Sequence, residues 1–62
     1  MEEVLEGILE AIEDEQAAQK KYKKLKAQAD TEEAKALFEQ LIKDEIRHEE
    51  LLKSRYEALK EI

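Results

Sequence analysis

Apolar side chains recur at intervals of three and four residues along nearly the whole chain, and this spacing constrains its fold most strongly. Such spacing gathers apolar side chains on one face of an α-helix, which turns once every 3.6 residues. With no proline and one glycine in 62 residues, the pattern forms two long stretches, at about residues 2–29 and about residues 31–61. The sequence therefore predicts an all-α chain of two long helices.

The junction between the two stretches lies at Asp30 and Thr31. We expect Asp30 to cap the second helix, with Glu33 three residues later completing a capping box. Because the connection is short, the two helices must fold back on each other as an antiparallel hairpin. The chain is thus predicted to be a single helical-hairpin domain over residues 1–62.

Three ionisable residues interrupt the apolar seams of the predicted helices. Glu45 and His48 are spaced i, i+3 on the second helix, so they share its apolar face, and Glu15 fills an apolar slot on the first. Taken singly, His48 is explained by a core histidine whose ring nitrogens are hydrogen-bonded. Glu15 alone is explained by a glutamate at the edge of the helix whose carboxylate reaches water. With the turn centred near residue 30, however, Glu15 falls opposite Glu45, and Ile12 falls opposite His48. Because buried charge without a partner is costly, this coincidence indicates a metal site on a face that should be dry.

The size and the charge of the chain exclude several classes of function. A chain of 62 residues rarely buries enough surface to be stable alone, and without cysteine it has neither disulfides nor thiolate ligands. A net charge of −6 argues against nucleic acid as a partner. No apolar run approaches the roughly 18 residues that span a membrane, and the acidic start lacks the basic region of a signal peptide. A cytoplasmic location is therefore expected.

One hairpin supplies only three ligands and leaves its apolar seam half uncovered. A twofold homodimer would bury that seam in a four-helix bundle. Doubling Glu15, Glu45 and His48 gives four carboxylates and two imidazoles, whose charge balances two divalent ions. These ligands suit Fe or Mn, and Zn could occupy them as well. A homodimer is therefore predicted, and assembly of dimers into higher homo-oligomers stays open.

Two stretches of the sequence resemble a known family. The segment AIEDEQAA at residues 11–18, with Tyr22 beyond it, and the segment DEIRHEELL at residues 44–52 are similar to rubrerythrin and the wider ferritin-like superfamily. The chain resembles in particular the members that carry half of the bundle and dimerise to build the site, such as the encapsulated ferritins. The resemblance implies a ferritin-like four-helix bundle made of two hairpins.

The resemblance also assigns roles to individual residues. Glu15, Glu45 and His48 would bind two Fe ions per dimer, with Glu45 bridging the metals and Glu15 in a terminal position. Asp44 would orient the partner's His48. Tyr22 lies two turns beyond Glu15 on the same face and could reach the site, although a plain core aromatic residue explains it equally well.

The function implied is that of a di-iron carboxylate oxidoreductase. Such a protein oxidises Fe(II) with dioxygen or peroxide, as a ferroxidase or a rubrerythrin-like peroxidase. The chain lacks the cysteine-rich iron domain of rubrerythrin proper, so peroxidase turnover would need an external electron donor. No cargo-targeting extension is visible, so the sequence does not support residence inside a protein compartment.

Two other interpretations stay open. The chain could be a self-associating helical bundle, natural or engineered, whose core polar residues only fix register and have no catalytic role. It could also be an interaction module that presents its acidic surface to a basic partner, although no motif supports this. Nucleophilic catalysis has no support, because cysteine is absent and Ser54 has no histidine at a useful spacing.

Overall fold

The computed structural model describes residues 1–62 and consists of two α-helices without β-strands. Helix α1 spans Glu2–Gln28 and helix α2 spans Glu32–Lys60. The helices run antiparallel, and near the turn the Lys26 ammonium of α1 donates a hydrogen bond to the Glu39 carboxylate of α2. The predicted all-α hairpin is confirmed, and it forms a rod of 48 × 14 × 9 Å.

The ends of α1 carry charges that suit the helix dipole. Glu2 and Glu3 lie in its first turn and Lys26 lies in its last turn. Ala29 then leaves the helix with φ −69° and ψ 136°, and its N–H donates to the Lys26 carbonyl at 3.2 Å. Because no residue has a positive φ, the connection to α2 needs no glycine.

The N-cap of α2 differs from the one expected. Thr31, with φ −124° and ψ 152°, precedes the first helical residue, and its Oγ1 accepts a hydrogen bond from the Ala34 N–H at 3.1 Å. The expectation of an Asp30 cap paired with Glu33 was therefore wrong. An N-cap side chain must sit immediately before the first helical residue, and Asp30 lies one position too early because α2 begins at Glu32.

The core of the hairpin is small. Only Ile12 of α1 and Ile42 of α2 are buried, with 8% and 6% of their surface exposed. Closer to the turn, the rings of Tyr22 and Phe38 stack with centroids 6.3 Å apart. Fully burying a large apolar side chain stabilises a fold by about 1.5–3 kcal/mol, so two such residues offset little of the chain entropy lost on folding.

Much of the apolar seam stays accessible in the single hairpin. Leu37 is 55% exposed and Val4 is 53% exposed. The hairpin therefore presents an apolar face that it cannot bury by itself.

Neither helix contains a segment long and apolar enough to cross a membrane.

Candidate metal centre

Three side chains converge midway along the hairpin. Glu15 comes from α1, and Glu45 and His48 come from α2. One ligand atom from each of the three lies within 4.8 Å of the others. The i, i+3 spacing puts Glu45 and His48 on one face of α2, and packing of Ile12, one turn before Glu15, holds α1 against that helix. The structure thus brings together the three residues that the sequence selected.

The closest contacts in this cluster join His48 to the two carboxylates. Nδ1 of His48 lies 3.5 Å from Oε2 of Glu15 and 3.7 Å from Oε2 of Glu45. Two atoms bound to one ion at about 2.0–2.2 Å each lie no more than about 4.4 Å apart. Both separations therefore suit a shared cation.

One oxygen of the cluster is buried and makes no hydrogen bond. It is Oε2 of Glu15, which lies 3.5 Å from Nδ1 of His48. Leaving a buried acceptor unsatisfied costs about 1–3 kcal/mol, and more for a charged group. A bound cation would satisfy this oxygen, so the donor set of Glu15, Glu45 and His48 fits a metal ion.

The cluster is covered on one side only. The side chains of Glu15 and Glu45 are 22% and 18% exposed, but that of His48 is 57% exposed. The face expected to be dry is therefore open at His48 in the single hairpin. The reason is geometric, because α1 is the only neighbour of α2 and cannot cover every residue on this face.

Asp44 lies next to Glu45 but contacts its own helix. Its Oδ1 accepts hydrogen bonds from Nη2 of Arg47 at 2.5 Å and from Nε2 of Gln40 at 2.9 Å. It makes no hydrogen bond to His48 of the same chain. The expectation that Asp44 orients the partner's His48 stays a prediction.

Tyr22 is placed among the apolar residues near the turn. Its ring stacks on Phe38 at an interplanar angle of 27°, and its hydroxyl makes no hydrogen bond to the cluster. In the single hairpin, Tyr22 therefore acts as a packing residue between the helices.

Sequence reasoning missed a second polar group beside the cluster. The carboxylate of Glu49, only 13% exposed, accepts hydrogen bonds from Nε2 of Gln16 at 2.9 Å and from Nε2 of Gln19 at 2.6 Å. Its Oε2 also lies 2.7 Å from Nζ of Lys53. The available signal was spacing, since Glu49 lies two turns after Ile42 on the face of α2 that packs against α1.

The surroundings of Glu49 strongly favour its charged form. The hydrogen bond from Lys53, followed by those from the Gln16 and Gln19 amides, lowers the pKa of Glu49 from 4.5 to about 2. These donors outweigh the opposing effect of burial. A smaller case lies near the turn, where hydrogen bonding to Lys26 lowers the pKa of Glu39.

The chain matches a known protein family over most of its length. A family model described as Rubrerythrin matches residues 6–61 of the 62-residue chain, a region that contains the whole cluster. No curated protein and no solved structure matched the chain.

Proposed function

The chain belongs to the rubrerythrin family, and on that basis we propose that it is a di-iron carboxylate protein. It binds two iron ions across the interface of a homodimer and oxidises Fe(II) with dioxygen or peroxide, as a ferroxidase or a rubrerythrin-like peroxidase. The observation that carries the proposal is the buried Oε2 of Glu15, which lacks a hydrogen-bond partner and faces Glu45 and His48. A cation is the partner that such an oxygen needs.

A second copy of the chain completes the site. His48 is 57% exposed, and Leu37, about three turns earlier on the same face of α2, is 55% exposed. A twofold partner covers this face and supplies a second set of Glu15, Glu45 and His48. The resulting four carboxylates and two neutral imidazoles balance the charge of two divalent ions. Three ligands from one hairpin would be too few for such a pair.

The residues of the chain hold the iron and favour its oxidation. When bound, the iron would supply the electrons that reduce dioxygen or peroxide. The negative charges of Glu15 and Glu45 would stabilise the more highly charged ferric ions. Asp44 orients the partner's His48 through a hydrogen bond to its ring. In the peroxidase case an external donor would return the electrons.

The decisive experiment loads the metal-free protein with Fe(II) under anaerobic conditions and then admits air. We expect a ferric carboxylate absorbance that saturates at about two irons per dimer. The Glu45→Ala variant should take up little iron and should give no such absorbance. Absence of uptake by the unaltered protein, or full uptake by Glu45→Ala, would refute the proposal.

The same samples separate this proposal from a purely structural helical bundle. A structural bundle would melt at the same temperature with and without metal, and would tolerate His48→Leu. The unsatisfied oxygen of Glu15 argues against that alternative, because a polar group kept only to fix register would have a hydrogen-bond partner.

A further inference from the structure

A polar clamp joins the two helices next to the candidate metal centre. It consists of Gln16 and Gln19 on α1 and Glu49 and Lys53 on α2. Both carboxylate oxygens of Glu49 are used, since Oε1 accepts from Gln19 and Oε2 accepts from Gln16. Glu49 is therefore tied to α1 at two points one helical turn apart.

The clamp is adjacent in sequence to residues of the cluster on both helices. Gln16 directly follows Glu15, and Glu49 directly follows His48. A shift of the clamp along the rod would therefore shift these two cluster residues by the same distance. A slip of one helical turn amounts to about 5.4 Å, and the present separation of Oε2 of Glu15 from Nδ1 of His48 is 3.5 Å.

The apolar contacts cannot fix this register alone. Ile12 and Ile42 are the only buried residues, and an apolar residue, Ile8, occurs about one turn before Ile12 on the same side of α1. After a slip of one turn, Ile8 would take the place of Ile12 and an apolar contact would remain. The clamp is different, because one carboxylate can meet both glutamine amides in one register only. Buried polar groups are known to specify register in this way in helical assemblies.

We propose that Glu49 is a positioning residue that fixes the register of α1 against α2 and so keeps Glu15 within reach of His48. Its relevance to metal binding rests on the proposed function. The register of the metal-free hairpin can be measured independently of that function.

A matched control exists nearer the turn. Glu39 is also a carboxylate of α2 that accepts a hydrogen bond from α1, in this case from Lys26. Neither Glu39 nor Lys26 is adjacent in sequence to a member of the metal-binding cluster. Glu39→Ala and Glu49→Ala therefore each remove one carboxylate that bonds across the helices. We expect only Glu49→Ala to let α1 shift along α2 beside the cluster.

The first experiment measures the register without metal. The chain has no cysteine, so spin labels can be attached to Glu10→Cys on α1 and Ser54→Cys on α2, which are both exposed positions. Pulsed electron paramagnetic resonance, on labelled chain diluted with unlabelled chain, gives their separation. We expect Glu49→Ala to broaden or shift the distance distribution by up to about one turn, or 5.4 Å, and Glu39→Ala to leave it unchanged. An unchanged distribution in Glu49→Ala would overturn the proposal.

A milder variant guards against loss of the fold. Gln19→Ala removes the shortest contact of the clamp, at 2.6 Å, and leaves the charged pair of Glu49 and Lys53 intact. It should give a smaller broadening while circular dichroism reports unchanged helix content. Loss of helix content in both variants would also overturn the proposal, because the clamp would then hold the fold as a whole rather than its register.

The second experiment measures metal affinity with Co²⁺ as the only added ligand, followed by its visible absorption bands. Changes to groups that support metal ligands typically weaken binding by about 10–100-fold, and we expect a loss of this size for Glu49→Ala. Glu39→Ala should stay within about twofold. If the unaltered protein binds no Co²⁺, the proposed function fails and the spin-label result still decides the register. If Glu49→Ala binds as tightly as the unaltered protein with the same spectrum, the positioning role fails and the proposed function stands.

Discussion

Oε2 of Glu15 and Nδ1 of His48 lie 3.5 Å apart on different helices, and the oxygen is buried without a hydrogen-bond donor. Removing a carboxylate oxygen from water without a replacement partner destabilises the folded state. The same arrangement makes the oxygen available to a cation. The folded hairpin is thus less stable with Glu15 than it would be with an apolar side chain at this position. Such a loss of stability is common at functional sites.

The first prediction concerns the stability of the metal-free protein. Glu15→Leu should raise the free energy of unfolding by about 1–2 kcal/mol, because it removes the unsatisfied oxygen and adds apolar contact. The same change should abolish metal binding. Urea denaturation in the presence of a chelator measures the first effect, and a metal titration measures the second. Glu13→Leu, at an exposed position of the same helix, should change stability by less than about 0.5 kcal/mol.

The second prediction concerns acid. Since the pKa of Glu49 is lowered from 4.5 to about 2 in the folded hairpin, its contribution to stability is fully present above pH 4.5 and is lost as the pH falls toward 2. Glu49→Gln should therefore flatten the dependence of the unfolding free energy on pH within this window. Denaturation curves at several pH values measure the slope. An equally steep slope in Glu49→Gln would contradict the assigned hydrogen bonds.

The third prediction tests the cap of α2. Thr31→Ala removes the acceptor for the Ala34 N–H and should lower the free energy of unfolding by about 1 kcal/mol. Asp30→Ala should lower it by no more than a few tenths of a kcal/mol, because Asp30 makes no capping bond. Thermal melts of the two variants, run side by side, distinguish these outcomes. A larger effect at Asp30 than at Thr31 would restore the cap expected from the sequence.

The fourth prediction concerns the small core. Ile42 is 6% exposed, and Ile42→Ala should cost about 2–5 kcal/mol. A loss of this size is a large part of the stability available to so short a chain. Ile46 is 37% exposed, and Ile46→Ala should cost less than about 1 kcal/mol. Urea denaturation of both variants measures the free energy of unfolding. Similar losses at the two positions would mean that Ile42 is not the centre of the core between α1 and α2.

The fifth prediction addresses the proposed homodimer. Leu37 is 55% exposed in the single hairpin, so Leu37→Glu should affect the fold of one chain little but weaken its self-association and its metal binding together. Ile46→Glu serves as the control, because Ile46 points about 160° away from His48 around α2. Analytical ultracentrifugation with and without metal measures the association. If Leu37→Glu and Ile46→Glu dimerised equally well, the partner would not bind on the Leu37 face.

The amino-acid sequence by itself determined the two helices, the antiparallel hairpin and the cluster of Glu15, Glu45 and His48. These features follow from local periodicity and from the short connection between the two helices. A three-and-four spacing fixes which residues share a helix face, and a short connection leaves no arrangement other than folding back. The position of the turn predicted that Glu15 and Glu45 lie opposite each other along the hairpin, because both helices rise by the same distance per residue.

Only the tertiary structure decided how the polar groups are paired. It moved the cap from Asp30 to Thr31, left His48 exposed on the single hairpin, and revealed the hydrogen bonds of Glu49. The cap depends on the residue at which α2 begins, and the exposure of His48 depends on how much of α2 is covered by α1. The hydrogen bonds of Glu49 depend on how one helix is rotated against the other. The spacing of apolar residues does not resolve such details. A difference of one residue changes the direction of a side chain by 100° around the helix, but changes its position along the axis by only about 1.5 Å.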